Sequence, residues 1–201
     1  MNLLKTSRTN RTPTDLLLNG ALVVAPLLYL LVDCLYAARG WEDPDAGALH
    51  ALGAIAYAFV LVRIATWTHG WLAAWTLFVG IVGAAGNMAY GFNTIHVALG
   101  GVDLVDTSGP GAIIKPLGLF FPVSLVLAAV VLRRLGVRLA AVSVAVAAVL
   151  WPVAHIGNIA GLAVAVNVLL VLAFVPLAWK VWPQSDVDRH SGTPEVFGRI
   201  R

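Results

Sequence analysis

The sequence predicts an all-α polytopic membrane protein, a bundle of six transmembrane helices with both termini in the cytoplasm. Composition gives the class: 60% of the 201 residues are hydrophobic and only 11% are charged, against about 25% charged residues in a typical soluble domain. So few charges could not cover the surface of a soluble fold. The lipid-facing surface of a spanning helix, in contrast, must be apolar.

The second observation is the number and length of the apolar runs, each close to the ~20 residues that a membrane-spanning helix needs. The runs cover residues 16–37, 47–67, 71–96, 112–132, 138–156 and 160–182. We therefore expect a short cytoplasmic segment over 1–14, one six-helix membrane domain over 15–182, and a flexible cytoplasmic tail over 183–201.

The third observation is the distribution of basic residues, which are enriched on the cytoplasmic side of membrane proteins. With the N-terminus inside, eleven of the thirteen Lys and Arg residues fall on that side, and only Arg39 and Lys115 fall outside. The eleven are Lys5, Arg8, Arg11, Arg63, Arg133, Arg134, Arg138, Lys180, Arg189, Arg199 and Arg201. The alternation predicts a multi-pass protein of the cell membrane with both termini cytoplasmic.

The third predicted helix carries a face of small residues formed by Gly80, Ala84, Asn87 and Gly91. Small residues at these spacings allow a neighbouring helix to approach closely. The face could serve packing within the chain or a homo- or hetero-oligomer. The lipid bilayer is the expected partner, and because topology accounts for the basic residues, no nucleic-acid partner is expected.

Strong polar groups occur in the outer half of every predicted helix, whereas the inner halves offer no ionisable group at depth. An ionisable side chain within a membrane is costly unless it faces a partner or water. Asp33 interrupts an otherwise apolar run, and we expect it to face the bundle interior with His50 or Lys115 as its partner. The pattern predicts an outward-facing polar pocket.

Helical spacing and depth select the residues of this pocket. The candidate catalytic residues are Asp33, His50, His96, His155 and Lys115. The candidate ligand-binding residues are Asn87, Asn93, Asn158, Tyr57 and Trp151. Each has a structural alternative: the Asn residues could join helices by hydrogen bonds, the His residues could lie at the interface, and Lys115 could extend to the outer surface.

Several chemistries fit these residues. A carboxyl group with a nearby imidazole could perform acid–base catalysis on a lipophilic substrate. No cofactor is required by the sequence, although His50, His96 and His155 could bind zinc, and two facing His residues could ligate a haem iron. The leading hypothesis is a pocket that binds or transforms a small or lipophilic molecule. A membrane-embedded enzyme is slightly favoured over a ligand-binding, sensing or accessory subunit of a membrane complex and over a small-solute transporter.

The topology predicts which loops a membrane-impermeant reagent can reach. In a Cys34→Ser background, a maleimide added to intact cells is expected to label Ser108→Cys, which lies in the predicted outer connection between the third and fourth helices. Leu135→Cys, in the basic connection 133–138, should react only after permeabilisation, because the basic flanks hold that connection inside. Labelling of Leu135→Cys in intact cells would contradict the orientation.

Overall fold

The computed structural model describes residues 12–181, and this part of the chain folds into six helices that are long and apolar enough to cross a membrane. The helices are α1 (Pro13–Arg39), α2 (Pro44–Ala65), α3 (Gly70–Ala98), α4 (Ile114–Arg134), α5 (Arg138–Ile156) and α6 (Ala160–Val181), with a short 3-10 turn, Pro110–Ile113, before α4. The predicted six-helix fold is confirmed. Most of the predicted 1–14 segment and all of the 183–201 tail lie outside the described residues.

Local sequence signals set both ends of α1 and the start of α2. Thr12 caps α1, because its side-chain oxygen accepts from the backbone N–H of Asp15 and the Asp15 carboxylate accepts from the backbone N–H of Thr12. Two backbone N–H groups that would otherwise lack a partner are thus satisfied. Gly40 ends α1 with a φ of 97°, a conformation that favours glycine. Asp43 caps α2 through the N–H of Ala46.

The helices form a closed ring in which each packs against its neighbours in the chain and α6 packs against α1. Aromatic side chains from across the ring fill its centre: the ring of Tyr29 in α1 lies 4.8 Å from that of Tyr57 in α2 and 5.7 Å from that of Phe121 in α4. Trp151 of α5 lies 5.5 Å from Phe121. The connections 40–43, 99–113 and 157–159 lie at one end of the ring, called here the upper end, and 66–69 and 135–137 lie at the lower end.

Glycines bring α3 into backbone contact with both of its neighbours. A Cβ on Gly86 would lie 2.3 Å from the backbone nitrogen of Gly118 in α4, and one on Gly83 would lie 2.4 Å from the nitrogen of Phe121. On the other side, a Cβ on Gly91 would lie 2.6 Å from the carbonyl oxygen of Gly47 in α2. These distances leave no space for a side chain.

The small-residue face predicted on α3 is buried within the chain. Gly80 packs against the Leu61 side chain and Gly91 against the backbone of α2, while Ala84 is 5% exposed and Asn87 is 2% exposed. Packing inside the ring therefore occupies the face that the sequence offered for contact with another chain.

A single methyl group is expected to disrupt the α3–α4 contact. Gly86→Ala should lower stability by about 2 kcal/mol, because added volume in a tight contact forces the backbones apart. Gly20→Ala is the matched control, since nothing lies within 4 Å of its Cβ position, and it should be neutral or slightly stabilising. Thermal unfolding in detergent, followed by circular dichroism, measures both variants. Equal melting temperatures for the two variants would contradict the close approach.

Candidate functional site

A buried carboxyl group joins three helices near the upper end of the ring. Asp33 of α1 is 1% exposed. Its Oδ2 accepts a hydrogen bond of 2.5 Å from Nδ2 of Asn167 in α6, and its Oδ1 lies 3.4 Å from Nε2 of His155 in α5. Asp33 therefore faces the interior with partners, as a carboxyl group in a membrane requires.

The partners of Asp33 differ from those expected. The positions of the residues along their predicted helices favoured His50 or Lys115 as the partner of Asp33. The structure instead brings His155 and Asn167 to the carboxyl group. Lys115 instead lies 2.9 Å from Asp106 in the α3–α4 connection, where both side chains are exposed. The reason is the ring closure: α6 packs on α1, so the seventh and eighth residues of α6 lie at the depth of Asp33.

Hydrogen bonding sets where His155 holds its protons. Its Nδ1 lies 3.0 Å from the carbonyl oxygen of Trp151, which can only accept, so Nδ1 carries a proton. The other ring nitrogen, Nε2, faces the carboxyl group of Asp33. This contact is favourable when the two groups share one proton, as imidazolium with carboxylate or as imidazole with carboxylic acid. The pair is therefore a unit that can give or take a proton.

Aromatic rings fix the His155 imidazole. Trp151, one turn earlier on α5, stacks on it with ring centroids 4.2 Å apart and planes 17° apart. Trp41 approaches it edge-on at 5.9 Å and donates its indole N–H to the carbonyl oxygen of Asn158 at 3.2 Å. These contacts leave the ring little freedom to rotate away from Asp33.

His50 of α2 forms a second polar contact at the same level. Asn87 of α3 donates from Nδ2 to the carbonyl oxygen of Gly83 at 2.9 Å, so its Oδ1 is the acceptor that faces His50 Nε2 at 3.3 Å. In the neutral imidazole, Nε2 then donates and Nδ1 keeps its lone pair. That Nδ1 is buried and has no hydrogen-bond partner among the described residues.

Both polar contacts border one cavity with a volume of about 150 Å³. His50 and His155 line it together, with Asn87, Trp151, Asn158 and Lys115 of the predicted set. Its wall is completed by Tyr90, Asp103, Val105, Asp106, Ile114, Gly118, Leu119 and Ile156. Six of the ten residues predicted from sequence thus border a single cavity, and Asp33 lies directly behind His155.

Three of the predicted residues lie elsewhere. His96 is exposed in the last turn of α3, with its ring against Gly101, and does not line the cavity. Tyr57 is fully buried in the aromatic centre of the ring. Asn93 donates to Asp103 Oδ1 at 2.8 Å and accepts from the backbone N–H of Leu104 at 2.9 Å, so it holds the α3–α4 connection in place.

Asn167, Tyr90 and Trp41 contribute contacts that sequence reasoning did not assign to a site. Asn167 lies about two turns into the sixth predicted apolar run from its outer end, and no local pattern in the sequence pairs it with Asp33. Tyr90 lies one turn beyond Asn87 on α3 and lines the cavity. Trp41 lies in the first predicted outer connection, and nothing in its sequence position indicates the contact with His155.

The described residues do not form a preorganised site for a metal ion or a haem. Within residues 12–181, no three His, Cys, Asp or Glu side chains converge as a set that could hold a metal ion. The cavity of about 150 Å³ corresponds to roughly five water molecules at ~30 Å³ each, which is too small for a haem. The ionisable groups that do lie in contact at this site are His155 and Asp33.

Comparisons of the chain with protein-family models, curated proteins and solved structures find no match.

Replacement of Asp33 is expected to destabilise the upper end of the bundle. Asp33→Leu leaves Asn167 Nδ2 without an acceptor and His155 Nε2 without its partner, and each loss costs about 1–3 kcal/mol for a buried polar group. Asp33→Asn keeps the shape and an acceptor for Asn167, so its loss should be smaller. Melting temperatures in detergent should therefore decrease from wild type to Asp33→Asn to Asp33→Leu.

Lys115→Met is the control for charge removal at the same end. It breaks an exposed ion pair, and such pairs contribute about 0–1 kcal/mol. A melting temperature for Asp33→Leu equal to that of Lys115→Met would contradict the buried network.

Proposed function

We propose that this protein is a membrane-embedded enzyme that performs acid–base chemistry on a small or lipophilic molecule bound at the upper end of the bundle. The observation that carries the proposal is the contact between His155 Nε2 and Asp33 Oδ1 at 3.4 Å, beside a cavity that His155 lines. A carboxyl group and an imidazole that share a proton are a common arrangement for general acid–base catalysis.

The roles of the residues follow from their contacts. We assign the proton exchange with the bound molecule to His155, which alone of the pair borders the cavity. The exchange takes place at Nε2, since Nδ1 is held by the carbonyl oxygen of Trp151, so the reacting group of the molecule has to approach Nε2 beside its 3.4 Å contact with Asp33. Asp33 stabilises the imidazolium form, and Asn167 positions Asp33 through Oδ2. His50 offers the lone pair of Nδ1 as a second acceptor.

A ligand-binding or sensing protein is the second candidate, and one observation favours it. His50 with Asn87, and Asp33 with Asn167, are already paired inside the protein, which suits a site that recognises a molecule without transforming it. A transporter has less support, because all residues that line the cavity come from the upper half of the ring or its connections.

Replacement of His155 by Gln is expected to slow conversion strongly, while the Gln side chain can still donate a hydrogen bond to Asp33 and so preserve the fold. Purified protein in nanodiscs would be incubated with a lipid and metabolite extract of the native host, and consumed compounds identified by mass spectrometry. Wild type and His96→Gln, the exposed histidine outside the cavity, should consume the same compound. His155→Gln should do so about 10²–10⁴-fold more slowly, the usual contribution of a general acid–base group.

Two results would contradict the proposed enzymatic function. One is the absence of any compound consumed by wild type, and the other is equal conversion by His155→Gln. A compound that binds to wild type without being consumed would support the ligand-binding alternative.

A further inference from the structure

The cavity is bordered by two partly exposed apolar side chains from neighbouring helices. Leu119 of α4 and Ile156 of α5 both line it, and they are 37% and 54% exposed. Because α4 and α5 pack side by side, the gap between these two side chains is the candidate opening toward the hydrocarbon of a membrane. Lys115 and Asp106, at the level of the α3–α4 connection, border the same cavity on its polar side.

The size of the cavity limits what can enter it whole. A volume of about 150 Å³ equals roughly five water molecules, enough for a small polar head group but not for an alkyl chain. A chain attached to such a head group would have to remain between Leu119 and Ile156, in contact with lipid. The shape therefore suits an amphiphile with one chain.

The cationic groups around the cavity are already paired with carboxyl groups. Lys115 lies 2.9 Å from Asp106, and His155 faces Asp33. Asp103 accepts from Nδ2 of Asn93 and from the backbone N–H of Val105, each at 2.8 Å. The described lining residues thus offer no free cation for a phosphate or carboxylate head group, and an uncharged head group is a better match than an anionic one.

Two lining residues carry polar atoms without a partner among the described residues, Nδ1 of His50 with its lone pair and Nε1–H of Trp151. Both atoms are buried, so a head group in the cavity reaches them only after these side chains shift toward it. A hydroxyl group can then donate to Nδ1 and accept from Nε1–H. The hydroxyl of Tyr90 adds a donor and acceptor on the same wall.

From these four observations we infer that the molecule taken by this site is a neutral, hydroxyl-headed amphiphile with a single chain, which enters from the lipid between α4 and α5. The inference names the substrate class and rests on the proposed function. The head group lies between His50, Trp151 and His155, and the chain packs on Leu119 and Ile156.

Binding of 1-monooleoylglycerol to the full chain in detergent tests this inference without any turnover. Native mass spectrometry gives the bound fraction in a titration, with methyl oleate and oleate as probes that share the chain. Monooleoylglycerol should bind about tenfold more tightly than methyl oleate, the effect expected for roughly one buried hydrogen bond. Oleate should bind no better than methyl oleate, because its charge meets no free cation.

Closing the lateral opening should weaken binding of monooleoylglycerol. Ile156→Trp adds bulk at the opening and is expected to reduce affinity at least about tenfold, as displacement of the chain requires. Val149→Trp is the matched control, because Val149 is 66% exposed on the same helix and does not line the cavity; its affinity should equal that of wild type. Leu119→Trp repeats the test from α4 if Ile156→Trp does not fold.

Equal affinity of the three oleoyl compounds would overturn the assignment of the head group. Unchanged binding in the variants with Trp at the opening would overturn the lateral entry. Monooleoylglycerol binding that behaves as expected, in a protein that consumes no compound from the extract, would refute the enzyme and leave a lipid-binding site. Conversion of a compound that lacks a hydroxyl head group, with no monooleoylglycerol binding, would refute the substrate class alone.

Discussion

The upper end of this bundle depends on the need of one carboxyl group for partners. Asp33 is 1% exposed within a membrane-spanning helix, and an unpaired carboxyl group there would cost several kcal/mol. Asn167 and His155 supply the partners. The requirement ties α1 to α5 and α6, the helices that close the ring, and it also fixes which face of α5 turns inward.

Once α5 is oriented, several aromatic contacts follow. Trp151 precedes His155 by one helical turn and therefore lies on the same face, where it stacks on the imidazole and reaches Phe121 at the ring centre. Trp41, in the first connection, approaches His155 edge-on and donates its indole N–H to the carbonyl oxygen of Asn158. The cavity is the space that remains between these rigid rings and the upper turns of α4.

The glycines of α3 have a complementary role. Because Gly83 and Gly86 allow backbone contact with α4, Asn87 can reach both His50 of α2 and, at 3.4 Å, the carbonyl oxygen of Gly118 in α4. A larger residue at either glycine would move α4 outward and widen the cavity. Gly83 and Gly86 therefore determine the geometry of the proposed site, in addition to allowing the close helix packing that small residues usually provide in membrane helices.

The sequence by itself determined the membrane class, the six spans and the concentration of polar groups toward one end, because hydropathy and helical period are local properties of the chain. It also indicated that Asp33 is buried, since a lone carboxyl group in an apolar run has few alternatives. The orientation of the termini stays a prediction from the charge distribution.

Only the tertiary structure decided which polar groups meet. Asp33 and Asn167 are 134 positions apart, and no local pattern specifies that α6 returns to α1. The position of His96 could not be predicted for the same reason. Its distance from the outer end of its predicted helix grouped it with His50 and His155, but the packing of α2 and α4 on α3 leaves the last turn of α3 exposed. Side-chain depth can be counted along a helix, but the face that a helix turns inward is set by the sum of its contacts with neighbours that are distant in sequence.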